Sequence, residues 1–361
     1  MGTDVKLHSD LPIPPGELLT ETLDALNLSQ AELARRMDRP VQAINEIARG
    51  TKEITPETAI QLERVLGVPA HIWLGLETEY QYTKARLQDR KRLEDEAELT
   101  ANFPCDAMAK LGWIPKTRDL VERAGHLLSF FGVGSLRAVQ ETEAAAFRIS
   151  RTREAQAEAL AAWLRKGALD AQTVDTKPFR EERLRTILPE IRRLTTKPPA
   201  VFESSVREAL ASAGVAVVLL PHLPKTHANG AARWLSPEKA LIQLSLRGKW
   251  ADIFWFTLFH EIGHLLLHGR RDVFIEWEER DKDTREQEAD NFASEVLITS
   301  DDFNAFVRKH PLVSKTDVAS FARSQGISAG IVVGRLQFER VIRYSDLNGL
   351  RMRLDWDREA S

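Results

Sequence analysis

Five consecutive residues, His260-Glu261-Ile262-Gly263-His264, combine the side chains that a hydrolytic metal centre needs. Positions i and i+4 share one face of an α-helix, so His260 and His264 can offer two imidazole nitrogens to one metal ion. Glu261 lies at the neighbouring edge of that face, where its carboxylate could accept a proton from an attacking water molecule. This spacing predicts a Zn²⁺ site with His260 and His264 as ligands and Glu261 as the catalytic base. The alternative is a buried helix with two packed histidines.

A catalytic zinc ion has three protein ligands and one open position, so a third ligand is required. The helical segment that follows Arg285 is rich in acids. Glu286 and Asp290 share a face, so Glu286 could bind the metal while Asp290 accepts the spare ring N–H of a ligating histidine. Glu288 points about 200° away on an ideal helix and is the weaker candidate. The alternative is that these acids form a solvated face.

His268 continues the line of histidines by one more helical turn. Eight residues of helix rise about 12 Å from His260, which is too far for two ligands held at about 2 Å from one ion. We therefore expect His268 to end the helix before Gly269. Three side chains are candidates for stabilising the oxyanion of the tetrahedral intermediate: His227, Arg233 and Tyr344.

Residues 28–50 have the pattern of two short helices joined by a tight turn. Ser29, followed three residues later by Glu32, predicts a capping box at the start of the first helix. Pro40 suits the first turn of the second helix, and Gly50 ends it. This is the geometry of a helix-turn-helix, whose second helix enters the major groove of DNA. The predicted apolar interior consists of Leu33, Ala34, Ile44 and Ile47.

The second of these helices carries side chains that could read DNA. Gln42 and Asn45 are the predicted contacts to base edges. The predicted contacts to phosphates are Gln30, Arg39, Arg49 and Lys52. Residues 1–80 carry seven positive and thirteen negative charges, so one copy would bind DNA weakly. We therefore expect a homodimer on a palindromic operator. The alternative is a helical module that docks a protein.

Composition limits the class of protein. The 361 residues suggest two or three domains, and the net charge of -3 excludes binding of nucleic acid through overall basicity. One cysteine, Cys105, cannot form an intramolecular disulfide or a cysteine-based zinc cage, which fits a reducing cytoplasm. No apolar run approaches the ~20 residues of a membrane-spanning helix. We expect a cytoplasmic protein without a membrane partner.

Residue patterns predict a mainly α protein with a small β-sheet, an α+β fold. The predicted parts are an all-helical DNA-binding domain in residues 1–80, a helical linker and connector in residues 81–200, and a catalytic domain with a helical tail in residues 201–361. Within the last part, a β-branched run follows Gly214, and a hairpin follows with its turn at Ser236-Pro237-Glu238. Its second strand, Ala240 to Leu246, is either an edge that binds a substrate chain or an ordinary buried strand.

The sequence resembles two known families. Residues 28–50, and especially the run NEIARGTKEITPETAIQLERVLGVPAHIW, are similar to the XRE (lambda-repressor-type) helix-turn-helix as found in HigA-type antitoxins. The segments FWFTLFHEIGHLLLH, EQEADNFASEVL and GISAGIVVGRLQ are similar to the ImmA/IrrE metallo-endopeptidases. Asp38 departs from the usual glycine in the turn, which is tolerable because Asp visits left-handed conformations. Asp290 stands where many members have Asn.

The resemblance implies a zincin-like metallopeptidase domain with Zn²⁺ on His260, His264 and Glu286. It also implies a regulator that cleaves a helix-turn-helix repressor under stress. A second hypothesis is a HigA-like antitoxin or ligand-sensing regulator that binds operator DNA and a cognate toxin but does not cleave.

Overall fold

The computed structural model describes residues 11–139, 157–245, 250–269, 274–277 and 284–354. The chain divides into two compact units, residues 1–98 and 99–361. Helices dominate both, and a four-stranded mixed sheet lies in the second, so the predicted α+β class is confirmed. The division into three functional parts at residues 80 and 200 stays a prediction.

The described residues of the N-terminal unit form five helices. They are α1 (Gly16–Ala25), α2 (Gln30–Arg36), α3 (Val41–Ala48), α4 (Pro56–Leu66) and α5 (Ala70–Ala97). Their apolar faces meet in one core around Leu19, Leu62 and Trp73. The predicted interior of the helix-turn-helix is confirmed, because its four side chains are also buried there. Burial of this shared apolar surface holds α1 to α4 together, since isolated helices as short as these four are marginal in water.

The start of α2 and the turn after it follow local chemistry. The Ser29 hydroxyl accepts a hydrogen bond from the backbone N–H of Glu32 at 3.1 Å, which is one half of the predicted capping box. The Glu32 carboxylate pairs instead with Arg35 and Arg36. Asp38 adopts the left-handed region at φ +53°, in agreement with its expected tolerance of that turn.

The C-terminal unit begins with helices, as predicted for the connector. They are α6 (Cys105–Lys110), α7 (Leu120–Phe131), α8 (Ala157–Gln172), α9 (Glu181–Arg193) and α10 (Pro199–Ser212). The sheet follows, with strands β1 (Val215–Leu220), β2 (Ala228–Ser236), β3 (Lys239–Ser245) and β4 (Phe274–Trp277). After and between the strands come α11 (Ala251–Leu267), α12 (Thr284–Leu297), α13 (Ser300–Lys309), α14 (Lys315–Gln325) and α15 (Ala329–Phe338).

The strand order is β1-β3-β2-β4, with β1 parallel to β3 and β2 antiparallel to both β3 and β4. The predicted hairpin is confirmed, since Ser236 pairs with Lys239 across its turn. The expectation that the second hairpin strand is an edge for a substrate chain is wrong, because β3 is hydrogen-bonded on both sides. The two edge strands are β1 and the short β4, and sequence patterns did not predict β4.

The core of the C-terminal unit lies between the sheet and the helices. Trp255, Phe259 and Ile262 of α11 are fully buried in it, together with Val332 and Leu336 of α15. The helix α11 is therefore enclosed rather than amphipathic, which is the environment in which polar side chains need partners. Within the described ranges, no helix combines the length and apolar character that a membrane crossing requires.

Candidate functional site

The helix α11 presents the residues of the H-E-x-x-H motif inside the C-terminal unit. His260 is 1% exposed, while Glu261 and His264 are fully buried. The two imidazoles point to the same side of the helix, with their Nε2 atoms 2.9 Å apart. The predicted pairing of His260 and His264 on one face is thus present in the structure.

Glu286 of α12 completes the group. Its Oε2 lies 3.1 Å from His260 Nε2, and its Oε1 lies 3.4 Å from His264 Nε2. Gly263 makes this approach possible, because a Cβ there would lie 3.1 Å from the Phe292 ring and 3.3 Å from the Ala289 Cα. An alanine there would require α12 to shift by a few tenths of an ångström.

These three residues form a group that could hold a metal ion. One ligand atom from each lies within 4.8 Å of the others. Bonds of about 2.0–2.1 Å in a tetrahedral site place neighbouring ligand atoms roughly 3.3 Å apart, and the separations of 2.9 to 3.4 Å agree with that value. Two imidazole nitrogens and a carboxylate also suit Zn²⁺ chemically. Zinc held there would supply Lewis-acid activation of water and of a carbonyl group.

Electrostatics at the group favour metal-binding protonation states. Burial would raise the pKa of Glu286, but hydrogen bonds with His260 and His264 outweigh it and lower that pKa to about 2. Burial lowers the pKa of His264, which favours the neutral form of its imidazole. A carboxylate and a neutral imidazole are the forms that bind a metal ion.

Each histidine also has a partner at its second ring nitrogen, Nδ1. His260 Nδ1 lies 3.0 Å from Asp290 Oδ1, which is the partner that the sequence predicted for Asp290. His264 Nδ1 lies 3.0 Å from His268 Nδ1, and His268 Nε2 lies 3.0 Å from Glu288 Oε2. His268 stands at the end of α11 as expected, but it also contacts His264, which sequence reasoning missed. The i+4 spacing was the signal that could have found it.

Glu261 lies beside β2 in a space that a glycine leaves open. A Cβ on Gly230 would collide with Glu261 Oε1 and would lie 2.7 Å from Thr257 Cγ2. A β-strand glycine often marks such a close approach, but its partner is set by tertiary packing alone. On the other side of the group, the Phe274 ring of β4 stacks on the His264 ring, with centroids 4.3 Å apart.

The oxyanion candidates lie in different surroundings. Arg233 donates a hydrogen bond to the Leu164 carbonyl and so ties β2 to α8. His227 stands just before β2 with φ +52°. Tyr344 is 68% exposed and lines a cavity next to α11. The oxyanion role of these residues stays a prediction.

The predicted DNA contacts lie on and around α3. Gln42 and Arg49 are exposed, and Asn45 is half-buried on the same helix. Gln30 is the first residue of α2, and Lys52 is exposed shortly after α3. The helix therefore presents Gln42 fully and Asn45 partly to solvent, and contact with the major groove requires such exposure.

Three of these side chains have protein partners in the N-terminal unit. Arg39 Nε donates to Gln61 Oε1 at 2.6 Å, which fixes the guanidinium against α4. Gln42 donates to Glu46 at 2.9 Å, and Lys52 lies 3.9 Å from the same carboxylate. Glu46 thus contacts two of the predicted DNA-binding side chains, a contact that the sequence prediction did not include.

Comparison with known proteins matches each unit to a family. The helix-turn-helix family model covers residues 19–73, and the IrrE N-terminal-like domain covers residues 222–337. The uncharacterized HTH-type transcriptional regulator YddM of Escherichia coli (strain K12) is 35% identical over 71 residues, which are 20% of this chain and 76% of that protein. The chain belongs to the XRE-type helix-turn-helix family and carries an IrrE-like domain. His260, His264 and Glu286 all lie within the residues that match the IrrE-like domain.

Further similarities lie at the helix-turn-helix. Virulence-associated protein I of Dichelobacter nodosus is 38% identical over 82 residues, covering 22% of this chain and 75% of that protein. A solved structure of Pseudomonas aeruginosa antitoxin HigA with the higBA promoter is 34% identical, covers 24% of this chain and 95% of that chain, and has a TM-score of 0.23.

Proposed function

We propose that the IrrE-like domain is a zinc-dependent endopeptidase and that the helix-turn-helix domain directs the same chain to operator DNA. One observation carries the proposal: His260, His264 and Glu286 converge on one point, and the buried Glu261 directly follows His260 in α11. Such a donor set beside a carboxylate is what peptide hydrolysis at a metal centre requires.

Each group has a separate role in the proposed reaction. Glu261 accepts a proton from water while the water oxygen bonds to the carbonyl carbon of the scissile peptide. The C–N bond then breaks, and the proton held by Glu261 passes to the leaving amine. His260, His264 and Glu286 would hold zinc, and Asp290 would keep His260 in the tautomer whose Nε2 is free to bind it.

The proposed substrate is a regulatory protein, a helix-turn-helix repressor in particular, and the proposed assembly on DNA is a homodimer. Two exposed α3 helices, one from each copy, would contact the two halves of a palindromic operator. The family membership of the N-terminal unit and its kinship with a named transcriptional regulator support the DNA-binding half of this proposal.

The decisive experiment compares the zinc-loaded full chain with its Glu261→Gln variant. Both are incubated with purified helix-turn-helix repressors and with a mixed peptide library, and products are identified by mass spectrometry. We expect cleavage by the unaltered chain and a loss of at least about 100-fold in the variant, with equal zinc content in both. Equal cleavage by the two proteins would refute the catalytic role of Glu261.

A second candidate is an antitoxin or ligand-sensing regulator whose peptidase-like domain does not cut. It predicts zinc binding without any product, together with operator binding that metal chelation leaves unchanged. The same incubation therefore separates the two candidates.

A further inference from the structure

A cavity of about 400 Å³ lies beside α11, within the size range of ligand-binding pockets. Its walls come from the N-terminal half of α11, the end of α12 and the helix α15. Thr257, one helical turn before Glu261, lines the cavity. The same Thr257 and Glu261 flank Gly230, and Asn229 next to it also lines the cavity. The cavity therefore lies one helical turn before the proposed catalytic base, on the stretch of α11 that precedes it.

The walls of the cavity are mainly apolar. Ile253 and Phe256 line it from α11, Leu297 from α12, and Ile331 and Phe338 from α15. At its rim, Ile253 is 40% exposed and Phe338 is 47% exposed. Exposed apolar side chains around a concave site are typical of a surface that receives an apolar group.

The charged side chains that line the cavity already have partners within the protein. Asp252 and Arg351 form a two-point ion pair, with Nε–Oδ1 and Nη2–Oδ2 distances of 3.0 and 2.7 Å, and both side chains are at most 10% exposed. The Arg335 guanidinium donates to the carbonyl oxygens of Ser294 and Ile298. A charged group that approached Asp252 or Arg351 would have to break their buried ion pair, which is strongly unfavourable. The cavity thus favours an uncharged occupant.

We propose that this cavity is the substrate subsite that receives a large uncharged side chain, such as Leu, Met or Phe, next to the scissile bond. The proposal rests on the proposed peptidase function, because it places the scissile bond next to Glu261. It adds that the substrate is selected at one position by size and lack of charge.

The first test is the cleavage of a mixed peptide library by the zinc-loaded full chain and by Ile253→Trp. The unaltered chain should prefer Leu, Met or Phe at one position flanking the cut. The larger indole would narrow the rim, so preference at that position should shift toward small residues by about tenfold. The matched control is Val201→Trp, a 46% exposed residue on α10 that does not line the cavity, and it should keep the original preference. A charged preference, or the same preference in all three proteins, would overturn the subsite.

The second test does not depend on cleavage. Ligand-observed NMR would compare N-acetyl-leucine amide with N-acetyl-aspartate amide on the full chain, on Ile253→Trp and on Phe338→Ala. We expect binding of the leucine probe alone, weakened in both variants. Binding without cleavage of any peptide would leave the apolar site standing and refute the peptidase function. Cleavage without leucine binding would refute the subsite and leave the peptidase function standing.

Discussion

In the N-terminal unit the predicted base contact Gln42 lies on the exposed side of α3, whereas in the C-terminal unit the predicted catalytic groups of α11 lie inside the packed core. Gln42 is exposed above a core formed by other residues of the same helix, such as Ile44 and Ile47. Glu261 and His264 are themselves fully buried, between residues that form the core.

The physical consequence is a different coupling between function and stability. An exposed side chain can change with little effect on folding, since surface substitutions usually shift stability by less than about 0.5 kcal/mol. A buried polar group depends on partners that pack around it, so its neighbours become functional residues too. Gly230, Gly263 and His268 acquire their importance in this way.

The largest expected effect comes from substitution of Gly230, which has no reactive side chain but lies against Glu261. In Gly230→Ala, the added Cβ would displace the Glu261 carboxylate, and a misplacement of about 1 Å can cost about 100-fold in rate. We expect peptide hydrolysis to fall by that factor while zinc content, measured by metal analysis, stays equal. The control is Gly349→Ala in the same unit, where a Cβ would meet no atom within 4 Å. Full activity in Gly230→Ala would show that burial does not couple this neighbour to function.

The two supports behind the histidines should differ in strength. Asp290→Ala removes the direct partner of His260, and we expect zinc affinity to fall by about 10- to 100-fold. Glu288 acts through His268, so Glu288→Ala should weaken zinc binding less than Asp290→Ala does. Competition with a chromophoric chelator measures both, and Asp301→Ala on α13 is an exposed acidic control. A larger loss in Glu288→Ala would reverse this order.

In the N-terminal unit, Asn45→Ala should weaken operator binding by about 1–3 kcal/mol if Asn45 reads a base edge. We expect the melting temperature of that unit and the zinc content of the chain to stay unchanged. Binding is measured on an operator selected from random duplexes, at one fixed salt concentration. Lys52→Ala is the companion variant, since loss of a phosphate contact should reduce the salt dependence of binding instead. A large drop in melting temperature for Asn45→Ala would show that function and stability are coupled in the N-terminal unit as well.

The smallest effect is expected at a helix cap. Ser29→Ala removes the hydrogen bond to the Glu32 N–H and should lower the free energy of unfolding of the N-terminal unit by about 1 kcal/mol. Ser314→Ala is the matched variant in the C-terminal unit, where Ser314 and Asp317 form a complete capping box at the start of α14. Calorimetry should show that each variant shifts only the transition of its own unit. Neither should change zinc content, because both caps are exposed.

Local sequence patterns determined much of this protein. The helix-turn-helix, the left-handed Asp38 turn, the hairpin and the pairing of His260 with His264 all follow from spacings of a few residues. Hydrogen bonds, caps and side-chain periods act over such distances, so their outcome is readable in the chain itself. The favoured choice of Glu286 also rests on an i, i+4 relation, to Asp290.

Tertiary structure alone decided the rest. The strand β3 became interior because β1 pairs with it in parallel on the side away from β2, and the short, unpredicted β4 forms the edge beside β2. Gly263 sets how near α12 comes to α11, and Gly230 makes room for Glu261 from a strand about thirty residues earlier in the chain. The cavity beside α11 is likewise assembled from segments far apart in sequence. These features depend on packing between elements that are distant in sequence. The residue pattern of one element does not predict which other element will pack against it.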